Sequence, residues 1–163
     1  LGLSAAEALT ALGLNQVKLK WPNDLVVADR KLAGILVESI RGGAIVAGIG
    51  VNLTLDNETR TRIGQPCTDL QEAELAISTE RLAAALIQAW TQELDSFFQV
   101  SSAEMVVRWL RFDALIGREI HVNVGGEQLE AVACGIDDDG CLIAEVAGER
   151  RTYSSAEVSV RVR

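Results

Sequence analysis

The sequence predicts an α+β protein: a mixed or antiparallel sheet with helices, followed by a small β-barrel. Three observations carry this. From Gln16 to Leu53, runs of strand texture are joined by short turns. Such connections force an antiparallel meander, because a parallel crossover needs about a dozen residues or more. From Ser78 to Phe112, apolar residues recur at helical spacing. After Gly117 the texture changes to short strands and hairpin turns, and about fifty residues of that kind make a small barrel. The expected division is therefore residues 1–112 and residues 113–163.

The elements follow in order. Ser4-Ala5-Ala6-Glu7 reads as a capping box, and Ala8, Leu9 and Leu12 give an apolar stripe that stops at Gly13. That predicts a helix over residues 5–12. Gln16–Trp21 alternates polar and apolar residues, the period of a half-buried strand, with Val17, Leu19 and Trp21 on one face and Lys18 and Lys20 on the other. Pro22, Asn23 and Asp24 make a turn, and Trp21 is held extended by the proline that follows it. Leu25–Ala28 and Leu32–Ile40 read as strands joined by Asp29-Arg30-Lys31, and Arg41-Gly42-Gly43 leads into a strand over 44–53. Residues 54–66 read as a polar loop long enough to cover a site, with Arg60 and Arg62 able to reach a phosphate. Ser78 caps a helix whose core stripe is Leu82, Leu86, Trp90, Leu94 and Phe97, widened by Ala83, Ile87 and Phe98. Ser101 and Glu104 form a capping box for a helix through Phe112 that buries Met105, Trp109 and Phe112. In the last third, strands at 119–124, 127–136, 141–146 and within 151–162 are separated by Gly125-Gly126 and Asp137–Gly140.

Composition narrows the chemistry. Of 163 residues, 48% are hydrophobic and 23% charged, an ordinary globular balance, and no apolar run approaches a membrane span of about 20 residues. The net charge of -8 leaves no basic stripe for a phosphate backbone, which argues against nucleic-acid binding by this chain. His121 is the single histidine, so a histidine metal site or a Ser-His-Asp triad has little to build on. The three cysteines Cys67, Cys134 and Cys141 form no CxxC pair, and they read as reduced thiols of a cytoplasmic protein. No metal site is expected from protein ligands. Leu1 is not an initiator methionine, and the sequence reads as a C-terminal piece of something longer.

Two glycine-bearing stretches bear on function. Gly48-Ile49-Gly50 lacks the third glycine and following helix of a dinucleotide fingerprint. Two residues apart on a strand, Gly48 and Gly50 bare one face, either for a flat ligand lying against the backbone or for a bulge or close packing. Asp137–Gly140 fails the calcium-loop pattern, whose first and twelfth positions fall on Gly135 and Val146. The lysine face of Lys18 and Lys20 is either a solvated strand face or an anion site, since two ammonium groups on one short strand repel unless an anion lies between them.

Lys20-Trp21-Pro22-Asn23-Asp24, then Arg30–Glu38 (RKLAGILVE), then Gly48–Leu53 (GIGVNL) resemble, in order and spacing, the catalytic half of the biotin–protein ligases, and the likeness runs through Leu70-Gln71-Glu72-Ala73 to the end of the chain. The resemblance implies a class II synthetase-like sheet followed by an SH3-like barrel. It implies a two-step ligase using ATP, Mg2+ and biotin: biotinyl-5′-adenylate forms first, and the biotinyl group then passes to a lysine of a biotin carboxyl carrier protein domain. By motif match, Lys20 is the catalytic lysine; Leu25, Gly34, Gly48 and Gly50 floor the biotin and adenylate site; and Asn52 contacts the phosphates or their Mg2+. Glu157 and Arg161 match a family segment that assists ATP and carrier recognition, and Asp24 is expected to hold the turn. The family's Gly-Arg-rich loop, which lies upstream of KWPND, is not in this sequence. Two other readings stand beside the ligase: a lipoate ligase-type relative, and an inactive module that binds a carrier domain or forms a homodimer through its sheet.

Overall fold

The computed structural model describes residues 1–155 and 158–162. It divides into two compact units, residues 1–19 with 23–97 and residues 20–22 with 98–163. Among the described residues, no helix is long and apolar enough to cross a membrane.

In the first unit, α1 (Gly2–Ala11) buries Leu3, Ala5, Ala6 and Leu9. It ends at the predicted glycine: Gly13 takes φ +107°, and the Gly13 and Leu14 N–H groups donate to the carbonyls of Thr10 and Leu9 at 3.0 and 2.9 Å. The capping box expected at Ser4 does not form. Leu3 has core to bury, so the helix starts earlier, and the Ser4 hydroxyl donates back to the Leu1 carbonyl at 3.0 Å.

A four-stranded sheet follows in the order β1-β2-β3-β4, with β1 at Val17–Lys20, β2 at Asp24–Val27, β3 at Arg30–Ser39 and β4 at Ile45–Val51. β2, β3 and β4 pair antiparallel, as the short turns require. Val17, Leu19 and Trp21 are buried while Lys18 is exposed, the alternation read from the sequence. The Trp21–Pro22 peptide is cis. The β2–β3 turn is not Asp29–Lys31 but the two residues Ala28 and Asp29, at φ 48° and 61°. Left-handed conformation at both positions matches the twist of the flanking strands, so the tight hairpin wins over the longer loop. Leu25 and Leu32 are fully buried, and truncating either to alanine would cost about 2–5 kcal/mol.

Residues 54–66 are not a plain loop. They contain α2 (Asn57–Ile63), capped by the Asp56 carboxylate, which accepts the Thr59 N–H at 2.7 Å, and closed by Gly64 in left-handed conformation. α2 buries no residue and so has no apolar period to betray it. The Thr59 N–H holds the Asp56 carboxyl below its ordinary range.

α3 (Thr79–Ser96) starts at the predicted Ser78 cap, but its stripe is covered only in part. Leu82 and Leu86 are buried, whereas Ile87, Leu94, Phe97 and Phe98 are exposed. α1 packs on α3 and is the shorter, 10 residues against 18. The Trp90 indole N–H donates to the Leu1 carbonyl at 3.1 Å, which marks where α1 begins; the last turns of α3 lie past it.

In the second unit, α4 (Ser102–Phe112) begins at the predicted Ser101 cap and buries Trp109, with Met105 and Phe112 half-buried. The strands β5 (Glu119–Val124), β6 (Glu127–Ile136), β7 (Leu142–Val146), β8 (Glu149–Tyr153) and β9 (Val158–Val162) pair antiparallel in the order β8-β7-β6-β5-β9. Ile120, Val122, Ala131, Ala133, Leu142, Ala144 and Val160 point inward. The Asp137 turn is closed by its own carboxylate, which accepts the N–H groups of Asp139 and Cys141 at 3.0 and 2.8 Å; it is a turn, as read from the sequence. The Trp21 indole N–H donates to the Gly140 carbonyl at 3.0 Å.

Candidate active site

The β3–β4 register puts the glycines on one face. Gly34 stands opposite Gly50 and Leu36 opposite Gly48, while Asp24 on β2 stands opposite Gly34. Directly paired residues share a face, so Asp24, Gly34, Leu36, Gly48 and Gly50 make one strip. A Cβ built on Gly48 or Gly50 would meet nothing within 4 Å. Neither close packing nor a bulge explains these two glycines, which leave one face of the backbone bare. Leu36, 60% exposed, offers the strip its one large apolar side chain. The sequence reading missed it because it reads as core.

Gly34 differs. A Cβ there would lie 3.2 Å from Cε and Nζ of Lys31 and 3.5 Å from the Asp24 carboxylate. Lys31 crosses the missing side chain to pair with Asp24, Nζ to Oδ1, at 2.6 Å. One ammonium group is therefore fixed on the bare strip, and Asp24 holds it there. The turn, by contrast, is held by Asn23, whose amide donates to the Ile35 carbonyl at 2.6 Å and whose carbonyl accepts the Ile35 N–H at 2.9 Å.

Leu25 pairs with Ala33 on the opposite face, and its side chain is fully buried. It supports the strip from beneath. Asn52 is half-buried just past β4, and its Nδ2 donates to the carbonyls of Lys31 at 3.2 Å and Thr68 at 3.0 Å. With both amide protons committed, its free function is the acceptor Oδ1. An oxygen donor of that kind suits a magnesium ion that takes its other ligands from phosphates and water. Among the described residues no group of three or more His, Cys, Asp or Glu side chains is arranged to hold a metal.

Lys20 ends β1, half-exposed, and is grouped with the second unit. Arg60 is not free to reach a phosphate. Its guanidinium donates to the Asp69 carboxylate at 2.5 Å, to Glu72 at 3.1 Å and to the carbonyls of Leu55 and Cys67. Glu72 also pairs with Arg30, and that bond first of all holds its carboxyl below the ordinary value of 4.5. In the second unit, Arg161 is exposed on β9 with its backbone opposite His121. Glu157 lies outside the described residues. Cys67, Cys134 and Cys141 form no disulfide.

With this geometry in hand, comparison with known proteins is specific. Residues 1–56 match the Biotin/lipoate A/B protein ligase family and residues 115–161 the Biotin protein ligase C terminal domain. The chain is 36% identical over 165 residues to the bifunctional ligase/repressor BirA of Escherichia coli, covering 99% of this chain and 51% of that protein. It is 33% identical to the biotin–[acetyl-CoA-carboxylase] ligase of Paracoccus denitrificans, covering 97% of this chain and 71% of the relative. The fold is similar to that of the biotin protein ligase from Aquifex aeolicus in complex with biotin and ATP, with a TM-score of 0.85 at 21% identity, covering 99% of this chain and 69% of the other. The chain thus spans about half the length of the first curated relatives it matches. It belongs to the biotin–protein ligase family.

Proposed function

We propose that this chain is the part of a biotin–[acetyl-CoA-carboxylase] ligase that carries the floor of the active site and the C-terminal domain, residues 1–112 and 113–163. The observation that carries the reading is the bare strip of Gly34, Gly48 and Gly50 with the Lys31 ammonium fixed across it. The biotin carboxylate attacks the α-phosphate of ATP, forming biotinyl-5′-adenylate and releasing pyrophosphate. The amine of a carrier-protein lysine then attacks the acyl carbon, an amide forms, and AMP leaves. Two anions must meet in the first step, so an ammonium at the reacting centre offsets their repulsion and stabilises the charge that develops.

Two lysines compete for that role. Lys20 holds it by motif, and geometry favours Lys31, because it lies on the glycine strip itself and Asp24 pre-orients it. Asn52 would contribute Oδ1 to the phosphates' Mg2+. Glu157 and Arg161 would assist ATP and the carrier protein from the C-terminal domain. The charge of -8 supports a chain that makes no nucleic-acid contact.

The test is biotin-dependent ATP–pyrophosphate exchange by this chain and by the longest polypeptide its gene encodes. Wild type exchanges in at least the longer form. Lys31→Ala lowers exchange by about 100-fold or more, the scale of a lost electrostatic stabiliser, and Lys20→Ala lowers it less. Exchange driven by lipoate and not biotin would move the chain to the lipoate-type relatives. Absence of exchange in both forms would leave the carrier-binding or homodimer reading, which the exposed apolar ends of β3 and β4 favour.

A further inference from the structure

The Asp69 carboxylate is buried, with a side chain only 3% exposed, and the ligase chemistry does not use it. It joins three segments. Oδ2 accepts the Leu55 N–H at 2.9 Å just after β4 and pairs with Arg60 of α2 at 2.5 Å. Oδ1 accepts the Glu72 N–H at 2.8 Å. Its two chain neighbours reach the site. The Thr68 carbonyl accepts from the Asn52 side chain, the Thr68 N–H donates to the Lys31 carbonyl at 2.9 Å, and the Leu70 N–H donates to the Asn52 carbonyl at 2.9 Å. Lys31 is also held by β2, where its partner is Val26. Among the described residues, the Asn52 side chain donates to the carbonyls of Thr68 and Lys31.

We infer that Asp69 and Arg60 are positioning residues: their pair, buried on the carboxylate side, fixes residues 68–70, which orient the Asn52 amide so that Oδ1 faces the nucleotide. The inference deepens the ligase reading and rests on it for the nucleotide. A carboxylate with both oxygens bonded to donors keeps its place without reorganisation when ligand arrives, which is what a preorganised site needs. It also reassigns Arg60, a residue that reads from sequence as a phosphate contact.

Three variants, Asp69→Asn, Arg60→Met and Arg60→Lys, are compared by the side-chain amide signal of Asn52 in NMR spectra and by ATP–pyrophosphate exchange in the longest gene product. Glu149→Gln, which breaks the exposed pair with Arg151, serves as the control. The expected result is that Asp69→Asn and Arg60→Met both shift the Asn52 signal. Each raises the KM for ATP about tenfold, the size of a lost hydrogen bond to a charged group, with kcat within about twofold; Arg60→Lys restores most of both, and the control moves neither. A KM effect of Arg60→Met alone makes Arg60 a direct phosphate contact and overturns the inference. An unmoved Asn52 signal in Asp69→Asn overturns it as well. If wild type shows no exchange, the ligase reading fails, while the NMR comparison still decides whether Asp69 orients Asn52.

Discussion

The three glycines of the strip separate binding from stability. An alanine methyl at Gly48 or Gly50 meets nothing within 4 Å, and a strand prefers alanine to glycine by about 0.5–1 kcal/mol. Gly50→Ala is therefore expected to leave the melting temperature unchanged or slightly raised while it weakens binding of biotin and adenylate. Calorimetric titration beside a thermal melt reads both; a variant that binds normally would mean the bare face serves no ligand. Gly34→Ala acts through another group. Its methyl would crowd Lys31 Nζ at 3.2 Å, and the flexible lysine gives way, so the fold survives while the pair with Asp24 loosens. Its kinetic signature is expected to resemble Lys31→Ala more than Gly50→Ala. Ala28, in the β2–β3 turn, offers a control on stability alone. At φ 48° its Cβ is strained, and Ala28→Gly is expected to raise stability by about 1 kcal/mol or less in a denaturant titration.

α2 buries nothing and is held by charge, whereas the turn at residues 68–72 is anchored by its buried residues 68–70 and its backbone bond to Lys31. Ion pairs at Glu72 link the two, and pH acts through them. Glu72 is bonded to Arg30 and Arg60, and its folded carboxyl is held below 4.5. A depressed carboxylate stabilises the fold above its unfolded value, and that stabilisation is lost as pH falls through the folded value. The melting temperature is therefore expected to fall as the pH is lowered past about 4.5, and Glu72→Gln to make that fall shallower. Parallel pH profiles for the two proteins would exclude Glu72 as a contributor. The same balance explains what the sequence discloses. The meander, the Gly13 stop, the Ser78 and Ser101 caps and the glycine strip are written in local periods and turn residues. α2 is not, because it buries nothing. Lys31 escapes notice because its role depends on a space at Gly34, which exists only once the register is set. The exposed end of α3 depends on where α1 begins to cover it.

On the scale of the whole chain, one cluster of exposed apolar side chains lies at a sheet edge. Leu36, Val37, Ile40, Ile45 and Val46 are each more than half exposed, and they occupy both faces of the outer ends of β3 and β4. β4 is also an edge of its sheet, so its backbone offers a ladder for another strand beside a hydrophobic face. A patch of this kind drives association unless charge opposes it. The net charge of -8 does oppose it, but salt shortens the reach of that repulsion from about 10 Å at 0.1 M to about 3 Å at 1 M. The chain is therefore expected to gain mass with concentration, and more so with added salt, in light scattering after size exclusion. Ile45→Lys with Val46→Lys puts charge on both faces of the edge and is expected to hold the protein at monomer mass in high salt. Its melting temperature should be unchanged, since Ile45 and Val46 contribute little burial. If the double variant associates as wild type does, the contact lies elsewhere, and the exposed Ile87, Leu94 and Phe98 of the α3 region become the surface to charge next.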